Sequence, residues 1–404
     1  MKIIKSKKQL GVGGFAVTPI AKKYVNEVLK SGRLSYGPFL KSFEKKFAQI
    51  HNRSFAISAN SGTSALQIAV HALKSLDGWQ DGDEILVPAL TFVATSNVVL
   101  LNNLKPVFVD IDARTYNIDP KKIEERITKK TRAIMPVNLC GLPCDMAAIK
   151  KIAKKHNLRV IEDSCETMFV KRDGQVVGSL SDISCFSTYV AHLLTTGVGG
   201  LALASNKEIA IKLRSLVNHG RDSIYISIDD DKSKSGKKLQ EIISRRFSFI
   251  DIGYSYRLTE FEGALGLAAL TRWKEDLGLR KKNAKMLLNG LAEFSDYLQL
   301  PFIPKGAEHA FMMFPITVIN EKVDTTELVN WLESWNIETR PLLPLLNQPI
   351  YQKMFGDLEP KYPIATFIRK NGFYIGCHPQ LKAPDISYIV SVFSEFFKIN
   401  KFYK

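Results

Sequence analysis

EILVPAL (84–90), KPVFVDI (105–111), RAIMPVN (132–138), RVIEDS (159–164), ISCFST (183–188) and GLALAS (200–205) are six short apolar or β-branched runs. Helical stretches such as SGTSALQIAVHALKSL (61–76) and CDMAAIKKIAKKH (144–156) separate most of them. Near-continuous apolar strands alternating with helices predict an α/β domain whose largely parallel sheet is covered on both faces. In such a sheet a ligand lies beyond the carboxyl ends of the strands. Thr91, Phe92, Asp163 and Ser187 fall right after apolar runs, at that rim.

Outward from this region, the 404 residues and 45% hydrophobic content are enough to bury a sizeable core in two domains. The division is expected at 280/281: an N-terminal segment and large domain over 1–280, and a smaller α+β domain over 281–404. The latter has its own rhythm, with the strand-like FMMFPITVI and the helical TTELVNWLESW. A long helical stretch is expected from about Thr259, in TEFEGALGLAALTRWKEDL, and DDDKSKSGKK (229–238) reads as an exposed loop.

The formal charge of +16 raises the question of nucleic acid or a membrane surface. The lysines are scattered over amphipathic helices, and no groove of interleaved aromatic and basic residues appears, so neither partner is expected. An acidic small substrate fits that charge. No run of about 18 apolar residues suggests a membrane span. The basic start MKIIKSKKQLGVGGFAV is a poor signal peptide, its apolar part being short and broken by glycines. Cys140, Cys144, Cys165, Cys185 and Cys377 are odd in number and lie in or beside strand-like runs. They read as reduced thiols of a cytoplasmic protein. No metal site is expected.

Two positions read chemically by themselves. Gly62 and Thr63 open a helix after an apolar segment, where free amides and a positive helix end suit a phosphate; an ordinary Asn/Ser cap gives the same pattern. His192, in CFSTYVAHLLTTGVGG (185–200), precedes a glycine-rich turn. A lone histidine is more often structural than catalytic, although imidazole can move protons near neutral pH.

Seven segments together resemble the DegT/DnrJ/EryC1/StrS family of sugar aminotransferases. In order they are SGRLSYGPFLKSFEKKFA, ANSGTSALQIAVHAL, VPALTFVAT, VIEDSCET, GYSYRLTEFEGALGLAAL, ETRPLLPLLNQPIY and GFYIGCHPQL, spread over nearly the whole chain. The resemblance implies a fold-type I, pyridoxal 5′-phosphate-dependent transferase architecture and a homodimer with shared active sites. It places Gly62, Thr63 and Ser187 at the cofactor phosphate, Phe92 against the pyridine ring, Asp163 at the ring nitrogen and Glu166 near the phenolic oxygen. Ser255, in GYSYR, stands where the family has an asparagine that reaches across the dimer to the phosphate. Val198 replaces the acid of the family's Gly-Glu-Gly-Gly turn. Tyr36, His219, Arg340 and His378 are further candidates for substrate contact.

His192 stands at the family's Schiff-base lysine. An imidazole cannot form that covalent link, but it can move a proton. The exchange, with EDSCET, resembles the subset of nucleotide-sugar 3-dehydratases. That subset implies non-covalent pyridoxamine or pyridoxal phosphate, with His192 as base and glutamate as amino donor. The expected reaction is dehydration at C3 of a nucleotide-linked 4-keto-6-deoxyhexose, for surface-polysaccharide or deoxysugar biosynthesis. The alternatives are a nucleotide-sugar aminotransferase and a non-catalytic sugar-nucleotide-binding paralogue. No iron–sulfur cluster can be built after NHGRD (218–222), because no cysteine follows until Cys377.

Overall fold

In a computed structural model of the chain, residues 3–222 and 234–400 are described. The large sheet has seven strands: β1 (Phe55–Ala59), β2 (Glu84–Pro88), β3 (Lys105–Val109), β4 (Thr131–Ile134), β5 (Arg159–Asp163), β8 (Ile183–Ser187) and β9 (Gly200–Ala204). Their spatial order is β1-β9-β8-β5-β4-β2-β3. Neighbours from β8 to β3 pair in parallel, whereas β9 is antiparallel to both β1 and β8. The mostly parallel α/β sheet expected from the alternation is therefore present. Strands β2, β8 and β9 are buried at every position, which explains why they read as continuous apolar runs.

The covering helices follow their own patterns. Met146–Lys155 buries Met146, Ile149 and Ala153, one stripe at helical spacing, and turns its lysines outward. Its start is fixed by Asp145, whose side chain accepts from the Ala148 amide at 3.0 Å. Gly62–Asp77 is wedged more deeply, with residues buried around most of its circumference. A two-stranded hairpin, β6 (Lys171–Arg172) and β7 (Gln175–Val176), lies outside the main sheet.

A second, antiparallel sheet is formed by β10 (Leu298–Gln299), β11 (Phe314–Val318), β12 (Thr339–Pro341) and β13 (Gly372–Ile375) in the order β10-β11-β13-β12. Its core includes Phe314, Phe373 and Phe393, together with Leu287 and Leu291 of the helix Trp273–Leu291. Leu10 joins this core and bridges to Ile337, so the N-terminal segment packs on the smaller unit. Conversely, Leu342, Tyr351, Tyr362 and Ile368 pack into the core of the large sheet. The 280/281 division falls within Trp273–Leu291.

The single helix expected from Thr259 is two, Glu260–Ala269 and Trp273–Leu291. At the break, the Thr271 hydroxyl bonds back to the Ala268 carbonyl at 2.7 Å, a local competitor to helix continuation. Of the loop expected at 229–238, residues 229–233 lie outside the described residues. Residues 234–238 are exposed, yet a helix begins at Gly236 and runs to Ser244, burying Ile242. Among the described residues no helix is long and apolar enough to cross a membrane.

Candidate active site

The phosphate-like end of the site is built where β1 turns into Gly62–Asp77. Ser61 caps this helix, its hydroxyl accepting from the Ser64 amide at 3.0 Å. The amides of Gly62 and Thr63 remain without partners among the described residues, at the positive end of the helix. A Cβ on Gly62 would lie 2.7 Å from the Ser187 Cβ, so only glycine lets the turn approach β8 this closely. One on Gly200 would collide with the Ser61 carbonyl oxygen. The cradle is set by sterics as much as by hydrogen bonding.

Asp163 ends β5 and is buried. One carboxylate oxygen accepts from the Thr95 hydroxyl at 2.8 Å, and Thr95 in turn meets the Thr91 hydroxyl at 2.9 Å. The other oxygen accepts from the Cys165 amide at 3.1 Å. Burial nonetheless raises the Asp163 pKa, the hydrogen bonds from Thr95 and Cys165 pulling against it, and no lysine or arginine among the described residues offsets the burial. A buried carboxyl with no cation suits a ligand that brings its own positive charge. Glu166 is also buried; its burial, partly opposed by the Cys140 amide at 2.8 Å and reinforced by Asp163, pushes it up to about 7.

His192 is held in the loop between β8 and β9. Its amide donates to the Tyr189 carbonyl at 2.9 Å, and Nδ1 lies 3.4 Å from the Ser187 carbonyl oxygen. The loop is closed below by the Thr188–Thr196 hydroxyl pair at 2.6 Å. Gly197 and Gly199 occupy φ of 93° and 148°, which explains the glycine-rich turn. Desolvation pulls the His192 pKa down to about 4, the Ser187 carbonyl opposing and Arg280 assisting, so the imidazole is neutral at pH 7.

These pieces face one cavity of about 410 Å³. Gly62, Thr63, Phe92, Asp163, Glu166, Ser187 and His192 all line it, and no lysine does among the described residues. Phe92, 57% exposed, is free of the core and presents its ring to this space. A phosphate cradle, an exposed aromatic face and a buried unpaired carboxyl fit the phosphate, ring and ring nitrogen of pyridoxal or pyridoxamine phosphate. No group of three or more metal-ligating side chains occurs among the described residues.

The other expected residues lie outside the cavity of their own chain. Tyr36 bonds Arg214 and Glu44. Ser255 and His219 are exposed and both meet Arg257. Arg340 pairs with Glu338, and His378 is buried between Gln380 and the Gly11 carbonyl. Each is occupied by a local partner that sequence order did not announce. Sequence reasoning missed Thr95 and the wall made by Met312, Met313, Leu343 and Tyr374. For Thr95 a signal existed: it lies one helical turn after Thr91, in TFVAT.

Comparison with known proteins agrees with this geometry. The profile of the DegT/DnrJ/EryC1/StrS aminotransferase family matches residues 18–394. The chain is 33% identical over 364 residues to the GDP-perosamine synthase of Caulobacter vibrioides, covering 89% of this chain and 91% of that one. It is 28% identical to the GDP-4-keto-6-deoxy-D-mannose 3-dehydratase of Escherichia coli O55:H7, with 92% and 95% covered. A solved E. coli GDP-4-keto-6-deoxy-D-mannose-3-dehydratase structure with bound hydrated pyridoxal phosphate superposes with a TM-score of 0.85 at 26% identity, covering 97% of this chain and 100% of that one. Fold, cavity and sequence thus lead to one conclusion: the chain belongs to the DegT/DnrJ/EryC1/StrS aminotransferase family.

Proposed function

We propose that this chain catalyses dehydration at C3 of a nucleotide-linked 4-keto-6-deoxyhexose, using pyridoxamine phosphate held without a covalent tether. The observation that carries the reading is an imidazole, with no lysine among the described residues, on the cavity wall. When bound, the cofactor supplies an amine for the sugar ketone and a ring that accepts electrons. Gly62, Thr63 and Ser187 hold its phosphate through amides and a hydroxyl. Phe92 covers the ring face. Asp163, oriented by Thr95, keeps the ring nitrogen protonated; the cation it gains there lowers the cost of its own ionisation. Glu166, near neutral pH part-protonated, serves the phenolic oxygen. His192, neutral at pH 7, takes the proton from C4′ and returns it to the departing C3 hydroxyl as water. In this reading Ser255 serves a second copy's site across a homodimer, and glutamate renews the amine.

Purified protein is incubated with pyridoxamine phosphate, glutamate and GDP- or dTDP-linked 4-keto-6-deoxyhexoses, and the products are weighed by mass spectrometry. A product lighter by one oxygen atom is expected, with ammonia and 2-oxoglutarate formed beside it, because elimination of the C3 hydroxyl is followed by hydrolysis and the amine form of the cofactor supplies two electrons. An aminated sugar that keeps its C3 hydroxyl would establish aminotransfer instead. Failure of the protein to perturb cofactor absorbance would leave a non-catalytic sugar-nucleotide-binding protein.

A further inference from the structure

Arg280, midway along Trp273–Leu291, is 3% exposed and has no carboxylate hydrogen-bonded to it among the described residues. Its Nη1 donates to the carbonyls of Phe311 at 3.1 Å and Met312 at 2.8 Å, and its Nη2 to the carbonyl of His192 at 3.4 Å. Its Nε has no partner among the described residues. Asp276, one turn earlier, is bonded to Arg272 at 3.0 Å. A buried guanidinium that rests on carbonyl oxygens alone is costly to maintain, and simple packing would be served better by an apolar side chain. Its contacts are selective, however. They join the backbone of His192 to the strand entrance that carries Met312, and both residues line the cofactor cavity.

We propose that Arg280 is a positioning residue for His192. By binding three carbonyls from two separate segments it fixes the loop that presents the imidazole to the cavity. The inference rests on the proposed role of His192 as base. Burial is the main reason the imidazole stays neutral, and the same guanidinium adds a smaller push in that direction by placing a positive charge near the ring. Neighbouring titratable groups do not supply this effect. Asp276 and Arg272 form their own pair. The Cys377 thiol, donating to the Arg280 carbonyl at 3.4 Å, is pushed up to about 12 by burial and stays neutral. His309, stacked on Phe311, is pulled down to about 3 and is neutral as well. Tyr189 meets the His192 ring edge-on, and Asp163 and Glu166 face it only across the cavity.

The test compares wild type, Arg280→Met and Arg280→Lys as cofactor-free proteins. The His192 resonance, assigned with His192→Asn, is titrated by NMR, and hydrogen exchange is followed in peptides spanning 187–197. In Arg280→Met the His192 titration is expected to rise and exchange in 187–197 to accelerate about tenfold or more. Arg280→Lys keeps a charge but loses the fork, so its titration stays near wild type while 187–197 still exchanges faster. With cofactor and substrate, turnover should fall on the order of 10²-fold in Arg280→Met, with cofactor affinity little changed. Unchanged titration and exchange in Arg280→Met overturn the proposal. If that variant does not fold, unchanged exchange at 187–197 in Arg280→Lys overturns it. A titration shift in a protein that makes no dehydrated sugar leaves the role of Arg280 standing and removes the proposed reaction.

Discussion

The two walls of the cavity differ in kind. The wall at the ends of the large-sheet strands carries the phosphate cradle, Asp163, Glu166, Ser187 and His192. The wall facing it, from the smaller unit and its approach, offers Met312, Met313, Leu343 and Tyr374. The first wall is made of groups whose charge state burial has displaced: Asp163 and Glu166 upward, His192 downward. The second is mostly apolar, and burial holds the Tyr374 hydroxyl protonated. On the proposed reading, proton and electron chemistry is lodged at the ends of the large-sheet strands and the loops that follow them, while the opposite face shapes and dries the space.

The largest expected effect breaks the first wall. His192→Asn should lower dehydration on the order of 10²–10⁴-fold, with cofactor affinity nearly unchanged because no covalent link is lost. Cofactor absorbance titrations beside steady-state kinetics check both halves. A parallel fall in affinity would make His192 a binding residue. Asp163→Asn comes next, at roughly 10²–10³-fold on turnover. In the cofactor-free protein this variant should melt no lower than wild type, since it removes a buried group with no cation. Stabilisation by added pyridoxamine phosphate should shrink. A large loss of stability without cofactor would place Asp163 in the scaffold instead.

Much of the first wall was legible because strand order exposes it. Asp163 and Ser187 each close an apolar run, Gly62 opens a helix, and His192 precedes glycines that the loop needs at positive φ. Thr95 was legible only in part: its spacing from Thr91 could be read, but nothing in a helix sequence says which strand-end carboxylate its hydroxyl will meet. The second wall was opaque for a related reason. Met312, Leu343 and Tyr374 come from three segments whose meeting depends on how the small sheet docks, and apolar residues read the same in a core as in a cavity. His378 shows the converse. Its place in GCHP made it a candidate for substrate contact, and within its own chain both ring nitrogens have partners, Gln380 and the Gly11 carbonyl.

A displaced pKa does not mark the chemical wall by itself, as a second histidine demonstrates. His51 is also pulled down to about 4 by burial, but it sits among Phe47, Phe169 and Phe186 with Nδ1 on the Val177 carbonyl at 2.8 Å. The unfolded chain takes up a proton near pH 6.5, whereas folded His51 does so only near 4. Stability is therefore undiminished above 6.5 and falls as pH drops toward 4, by about 3 kcal/mol for this residue. Glu166 acts oppositely, costing stability as pH rises from 4.5 to about 7. Melting curves between pH 7 and 4 should flatten in His51→Phe without loss of turnover at pH 7. If turnover falls instead, the aromatic cluster is coupled to the cavity.

Gly62→Ala sharpens the description of the cradle. Its new Cβ would press on Ser187 at 2.7 Å, so β8 and the helix must part slightly. Overpacking of this kind costs about 1–3 kcal/mol, and here it falls on phosphate affinity, expected to weaken about tenfold. Turnover at saturating cofactor should be nearly retained, which equilibrium titration and kinetics together can establish.

The smallest effect belongs to the second wall. Leu343 lines the cavity while holding φ at 38°, a conformation that costs a bulky residue stability. Leu343→Ala removes apolar surface facing the substrate without touching any group that moves a proton. A few lost methylenes in such a wall are worth about 1–3 kcal/mol of discrimination. We therefore expect KM for a 6-deoxy substrate to rise several-fold with kcat held, and preference over a 6-hydroxy analogue to narrow. A fall in kcat at constant KM would mean that this wall also presses reacting groups together, and the separation of chemistry from shape would have to be given up.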